Sequence, residues 1–263
     1  MQQQKPFENR VKRLLKEGKK TAGSWLQMAS PISAEIIARA GFDWVIIDLE
    51  HGPGDIMTLI SQFQAVNGSD TVPIVRVPWN DFVLIKRVLD SGAYGILIPY
   101  VNTRKEAEAA VRACKYPPEG IRGIAGSTRA AWFNRNAMNY FSRANDEILI
   151  IVQIETRMAV ENLDEILEVS GVDGLFVGPM DLATNLGHIY NPAVPEVQSV
   201  ILSIEEKVKK TDKFLGTIST DWRQAKQLFA RGYRLISLMA DGNALAAAAA
   251  EKVADFRKEF PLG

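Results

Sequence analysis

Two carboxylates stand where short apolar runs give way to polar chain: Glu155 in Gln153-Ile154-Glu155, and Asp181 in Gly178-Pro179-Met180-Asp181. A pair of carboxylates with positions left open for water and substrate oxygens is the usual protein share of a Mg²⁺ or Mn²⁺ site. The same two residues also suit a general acid/base pair, or the first turns of the following helices, where acids are favoured. His51, one of two histidines, comes directly after Asp48-Leu49-Glu50. That is the setting of a general base whose tautomer a nearby carboxylate fixes, and sequence proximity pairs it with Asp48 or Glu50. Arg76 ends the otherwise apolar run Val72–Val77. A guanidinium at the end of a buried strand requires an anion: a substrate carboxylate, a developing oxyanion, or an internal pair with Asp48 or Glu50. The second histidine, His188, falls in a predicted loop, Asn185–Pro192, and reads as a solvent or lid residue.

Other chemistries lack their residues. A Schiff-base aldolase needs a desolvated lysine amine at a strand end, yet Lys86 and Lys105 fall in helical segments among other charges. No serine sits in a G-x-S-x-G elbow, and the single cysteine, Cys114, reads as a small buried hydrophobe on a helix. One cysteine also forbids an internal disulfide framework and points to a reducing compartment. The 31 basic and 31 acidic side chains balance, which leaves no basic footprint for nucleic acid or anionic membrane. No apolar run approaches the ~18–20 residues that span a bilayer. The stretch Met1–Lys20 is polar and charged, without a signal-peptide core, so the cytoplasm is the expected location.

The elements that must position these groups are legible as alternation. Apolar, β-branched runs at Trp44–Leu49, Val72–Val77, Gly95–Val101, Ile148–Ile154, Leu175–Val177, Phe214–Ile218 and Leu235–Met239, with a weaker one at Thr21–Leu26, read as parallel strands buried on both faces. Between them lie helical segments: Ile32–Ala40, Phe82–Leu89, Arg104–Cys114, Ala159–Val169, Pro195–Lys209 and Trp222–Ala230. Gly41, Gly92, Gly171 and Gly232 follow four of these helices and look like one repeated helix-to-strand junction, each glycine supplying a left-handed cap. Eight strands over 263 residues predict a single-domain α/β fold, a (β/α)₈ TIM barrel. The domain is expected to span 1–263, with the barrel core over about 21–241 and an Ala-rich C-terminal helix over about 242–258. A doubly wound sheet would want a glycine-rich fingerprint after its first strand, and none is present. In a barrel the C-terminal ends of strands face the active site, so Asp48, His51, Arg76, Gln153, Glu155 and Asp181 converge on one mouth.

On Asp43–Asp55 (DWVIIDLEHGPGD), Val75–Asp81 (VRVPWND), Pro117–Gly126 (PPEGIRGIAG), Gln153–Thr156 (QIET) and Phe176–Leu186 (FVGPMDLATNL), the sequence resembles the HpcH/HpaI aldolases, class II metal-dependent 2-oxo acid aldolases. It is most similar to those acting on 2-keto-3-deoxy sugar acids, 5-keto-4-deoxyglucarate or 4-hydroxy-2-oxoheptanedioate, and macrophomate synthase is a related protein with a different net reaction. The resemblance implies a carbon–carbon lyase that reversibly cleaves a 4-hydroxy-2-oxo acid to pyruvate and an aldehyde through a metal-bound enolate. An enolate-forming lyase or decarboxylase is the alternative. It implies that Glu155 and Asp181 ligate Mg²⁺, Mn²⁺ or Co²⁺, with no organic cofactor. Gln153 and the backbone around Gly178, Pro179 and Met180 would hold pyruvate, Arg76 would stabilise the developing oxyanion, and His51 would serve acid/base chemistry. Met180 stands where relatives often carry Ser or Ala. The resemblance further gives His51 an aspartate partner, which maps onto Asp90. Asp90 lies at a helix end before the fourth strand, so it would reach a mouth only from a neighbouring subunit. A homohexamer, a trimer of dimers with the C-terminal helix packed on a neighbour, is implied, with small-molecule substrates and neither nucleic-acid nor membrane partners. The aldehyde pocket is expected to take its shape from Pro117–Phe133 and Gly187–Pro195.

Overall fold

The computed structural model describes residues 7–262. Residues 1–6, the start of the polar N-terminal stretch, and residue 263 lie outside the described residues, and so do those ends of the expected 1–263 domain. Helix α1 (Arg10–Lys16) precedes β1 (Thr21–Leu26). Then come α2 (Pro31–Arg39), β2 (Trp44–Asp48), α3 (Ile56–Val66), β3 (Val72–Arg76), α4 (Phe82–Ser91), β4 (Gly95–Ile98) and α5 (Arg104–Cys114). Next follow α6 (Ala137–Glu147), β5 (Leu149–Ile154), α7 (Arg157–Glu161), α8 (Leu163–Leu167), β6 (Gly174–Val177), α9 (Pro179–Asn185) and α10 (Pro195–Val208). The chain finishes with β7 (Phe214–Ile218), α11 (Trp222–Arg231), β8 (Leu235–Ala240) and α12 (Asp241–Glu259). The strands pair in parallel in sequence order, and β8 returns to β1, closing the (β/α)₈ barrel.

The period of two along each strand divides the core. Trp44, Ile46, Ile74, Leu97, Leu149, Ile151, Phe176, Phe214 and Leu235 pack together inside the barrel, and Val11 and Leu15 of α1 join them from below as a plug. The alternate residues, among them Val45, Ile47, Val75, Ile96, Ile150 and Val152, pack outward against the helices. Continuing the inward parity places Asp48, Arg76 and Gln153 in the interior layer at the mouth, with Asp48 and Arg76 register partners across β2 and β3. All four junction glycines have positive φ: Gly41 at 91°, Gly92 at 108°, Gly171 at 95° and Gly232 at 107°. That is the region in which only glycine avoids a steric cost.

Four expectations are corrected. The segment expected as one helix over Ala159–Val169 is two, α7 and α8, broken at Asn162, whose amide donates to the Asn102 carbonyl at 2.9 Å. Asparagine commonly prefers such local bonds to a helix interior. The run Gly95–Val101 stops as a strand at Ile98, because Pro99 has no N–H for the ladder and Tyr100 turns to φ 54°. The loop Pro117–Phe133 does not shape the mouth of its own barrel. It lies between α5 and β5 at the opposite end, where Ala130 N–H donates to the Asp90 carbonyl at 3.0 Å and Arg129 donates to the Ser91 carbonyl at 2.9 Å. Finally α1, α3, α6 and α9 were not anticipated, although Asp55 and Thr58 form a capping box that marks the start of α3.

Candidate active site

Arg76 is the best-anchored group at the mouth. Its Nε donates to Asp48 Oδ1 at 2.8 Å, its Nη2 to Asp48 Oδ2 at 2.5 Å, and its Nη1 pairs with Glu50 Oε2 at 2.9 Å. The guanidinium also lies 4.8 Å from the Trp25 ring centre. Both internal partners read from the sequence are therefore used together, yet two of the five guanidinium N–H groups remain uncommitted to them. Asp48 is buried and takes further bonds from Trp25 Nε1 at 3.0 Å and Gln27 Nε2 at 2.9 Å. These donors outweigh the burial that opposes them and hold its carboxyl at about 2.

Asp48 also accepts the backbone N–H groups of Glu50 at 3.1 Å and His51 at 3.2 Å. Of the two acids expected as partners of His51, Asp48 holds its loop through the backbone N–H, and its carboxylate oxygens are engaged by Arg76, Gln27 and Trp25. Burial raises the Glu50 carboxyl above the usual range, against the opposing charge of Arg76.

Glu155 follows β5 and is almost wholly buried. Its Oε1 accepts the Tyr100 N–H at 2.8 Å and its Oε2 accepts Gln153 Nε2 at 2.6 Å. Burial, reinforced by the charges of Asp181 and Glu50, pushes its carboxyl up to about 7. The other amide atom of Gln153, Oε1, is buried without a partner. Gly178 leaves room for this carboxylate: a Cβ there would fall 2.8 Å from Glu155 Oε2 and displace it. Asp181 lies in the first turn of α9, after Gly178, Pro179 and Met180, and no side chain caps that turn. It therefore has the position of a helix-capping acid while its charge bears on Glu155, Glu50 and the Tyr100 phenol. Among the described residues no three or more His, Cys, Asp or Glu are grouped to hold a metal.

Asp90 is not at this mouth. It lies near the C-terminal end of α4, where Arg122 Nη2 donates to it at 2.7 Å. His188 is bonded to Glu196 Oε2 at 2.9 Å on the surface. Cys114 is buried on α5. Sequence reasoning missed Trp25, Gln27 and Tyr100. Gln27 directly follows the Thr21–Leu26 run and the strand-end rule would have found it, whereas Tyr100 is hidden inside the apolar run Gly95–Val101, which outlasts its strand.

A family model for HpcH/HpaI aldolase/citrate lyase matches residues 21–248. A 5-keto-4-deoxy-D-glucarate aldolase from Salmonella paratyphi C (strain RKS4594) is 43% identical over 253 residues, 96% of this chain and 98% of its own. A solved HpcH/HpaI aldolase/citrate lyase family protein from Burkholderia cenocepacia J2315 has a TM-score of 0.91 at 36% identity, covering 95% of this chain and 99% of that one. Macrophomate synthase has a TM-score of 0.83 at 26% identity, with 96% and 90% covered.

Proposed function

The chain belongs to the HpcH/HpaI aldolase/citrate lyase family and is a carbon–carbon lyase of the aldolase kind; from that premise we propose that it reversibly cleaves a 4-hydroxy-2-oxo acid, of the 2-keto-3-deoxy sugar acid type, to pyruvate and an aldehyde. Glu155 and Asp181 would hold a divalent cation. The donor set suits one: two hard carboxylates whose charges repel, beside the unpartnered Gln153 Oε1. When bound there, Mg²⁺, Mn²⁺ or Co²⁺ would supply Lewis-acid polarisation of the 2-oxo group.

The protein's own groups carry the remaining work. Arg76 turns its two remaining N–H groups to the oxygen that gains charge as the C3–C4 bond breaks, a contribution of about 3 kcal/mol. His51 takes the 4-hydroxyl proton as the aldehyde leaves, which is worth roughly 10²–10⁴-fold. Gln153 and the Met180 N–H orient the pyruvate carboxylate, with Gly178 and Pro179 shaping that turn. Asp48 keeps Arg76 in place. Asp90, remote from its own mouth, serves His51 of another subunit in a homohexamer. The apolar side chains that stand in solvent on α12, Leu245, Val253 and Phe256, and at its C-cap, Phe260, support such packing. Among the described residues no helix is long and apolar enough to cross a membrane, and the expected setting is cytoplasmic.

The observation that carries this reading is the buried carboxylate of Glu155, which accepts Gln153 Nε2 beside the unpartnered Gln153 Oε1, at the mouth where Arg76 is held by Asp48 and Glu50. Dialysis against EDTA is expected to abolish pyruvate release from 5-keto-4-deoxy-D-glucarate, and Mg²⁺, Mn²⁺ or Co²⁺ to restore it. Full turnover in chelator would overturn the reading. The likeness to macrophomate synthase supports a second one, an enolate-forming lyase or decarboxylase. Oxaloacetate turned over faster than every aldol substrate would favour it.

A further inference from the structure

Tyr100 is the residue at the mouth with the least comfortable backbone. Its φ of 54° lies in the left-handed region, which non-glycine residues enter only at a steric cost. The conformation is held from several sides. Its N–H donates to Glu155 at 2.8 Å, its carbonyl accepts Asn102 Nδ2 at 3.0 Å, and its ring stacks on Trp79 with centres 5.6 Å apart and planes 32° apart. Burial, then the charges of Glu155, Asp181 and Glu50, raise its phenol above the usual tyrosine range.

Trp79 comes three residues after Arg76 and Tyr100 two after the end of β4, so neighbouring strands deliver both rings to the same rim. They remain exposed all the same, Trp79 at 53% and Tyr100 at 40%. Packing of the barrel core accounts for neither ring. Two flat apolar faces beside a polar, charged centre suit a ligand with both C–H and hydroxyl surfaces.

Resting on the reading above, we propose that the Trp79–Tyr100 pair is the acceptor subsite of the aldolase, the wall against which a hydroxylated aldehyde lies. The C–H face of the aldehyde chain covers the rings, and the Tyr100 hydroxyl bonds one of its hydroxyls. Pyruvate is held at Glu155 and Asp181, and the aldehyde, the second half of the substrate, lies against the rings. The pair therefore sets which aldehyde is used and leaves activation of pyruvate to the other residues.

Two reactions of one enzyme separate these roles. Exchange of pyruvate methyl protons in D₂O, followed by NMR with added Mg²⁺ or Mn²⁺, needs no aldehyde, whereas cleavage of 5-keto-4-deoxy-D-glucarate uses the whole site. Trp79→Leu and Tyr100→Gly are each expected to lower the ratio of cleavage kcat/KM to exchange rate about tenfold, and Tyr100→Phe about threefold. Glycine accepts the left-handed backbone and keeps the N–H to Glu155, so Tyr100→Gly removes the ring alone. A ratio unchanged in all three variants overturns the proposal, as does an equal fall in both reactions. So does a shift in gel-filtration volume at unchanged ratio, which would assign the rings to a subunit contact. Absence of exchange by the wild-type enzyme overturns the functional reading as well, whereas an unchanged ratio with exchange intact overturns only the subsite.

Discussion

At the floor of the barrel, opposite charges are brought together; at the mouth Arg76 is paired in the same way with Asp48 and Glu50, but Glu155 is buried under the like charges of Asp181 and Glu50. Below, Lys12 of α1 reaches Asp173 at 2.9 Å and the Ile148 carbonyl at 2.7 Å, and Arg122 closes on Asp90. Above, burial and the like charges of Asp181 and Glu50 oppose ionisation of Glu155, and Gln153 Oε1 has no partner. Both ends are built on the same eight strands and have the same apolar packing between them. On the proposed function, the floor serves stability and the mouth holds groups whose partners arrive with the substrate.

Substitutions at the two ends should separate stability from turnover. The largest effect is expected from Glu155→Ala, which should lower kcat/KM for pyruvate release at least ~10³-fold while moving Tm by only a few degrees. A collapse of Tm would show that the mouth is a folding element too. Lys12→Met at the floor should do the opposite. It leaves Asp173 without its cation and should lower unfolding free energy in urea by about 3 kcal/mol, with kcat of the folded enzyme unchanged. Asp48→Asn lies between these extremes. Its carboxyl sits at about 2, below the ~3.9 of an unfolded aspartate. Its contribution is therefore fully present above about pH 5 and fades as pH falls through about 2. The variant should be about 2 kcal/mol less stable at about pH 7, and the gap should narrow by about pH 3. The smallest effect is expected at Met180, where only the backbone N–H is assigned a role. Met180→Ala should change KM for pyruvate less than about threefold, and a larger change would bring its side chain into the site.

The barrel was legible because burial on both faces writes nearly continuous apolar runs. Two strands, Thr21–Leu26 and Phe214–Ile218, coincide with their runs residue for residue. Helices were harder where their signal is local: α9 starts on Gly178-Pro179 without a capping side chain, and α1 is short. Arg76 and its two acids were visible because a charge that ends an apolar run must find an opposite charge close by. The division of labour among them was not. Only three-dimensional placement shows that Trp25 and Gln27 approach Asp48 from β1 and the residue beyond it, or that the backbone of Tyr100 serves Glu155. Asp90 shows the limit most clearly: topology put it at the far end of α4, and its Arg122 partner lies 32 residues away in an irregular loop.

The guanidinium held on three corners has a consequence for evolution at this position. A cation already fixed in direction has no solvent shell to reorganise when negative charge appears opposite it, so folding has set its orientation in advance. A lysine cannot inherit that posture, because a single ammonium cannot reproduce the planar fork that engages Asp48 and Glu50 at once. Any lineage that exchanges this arginine must rebuild the two acids and the indole beneath it.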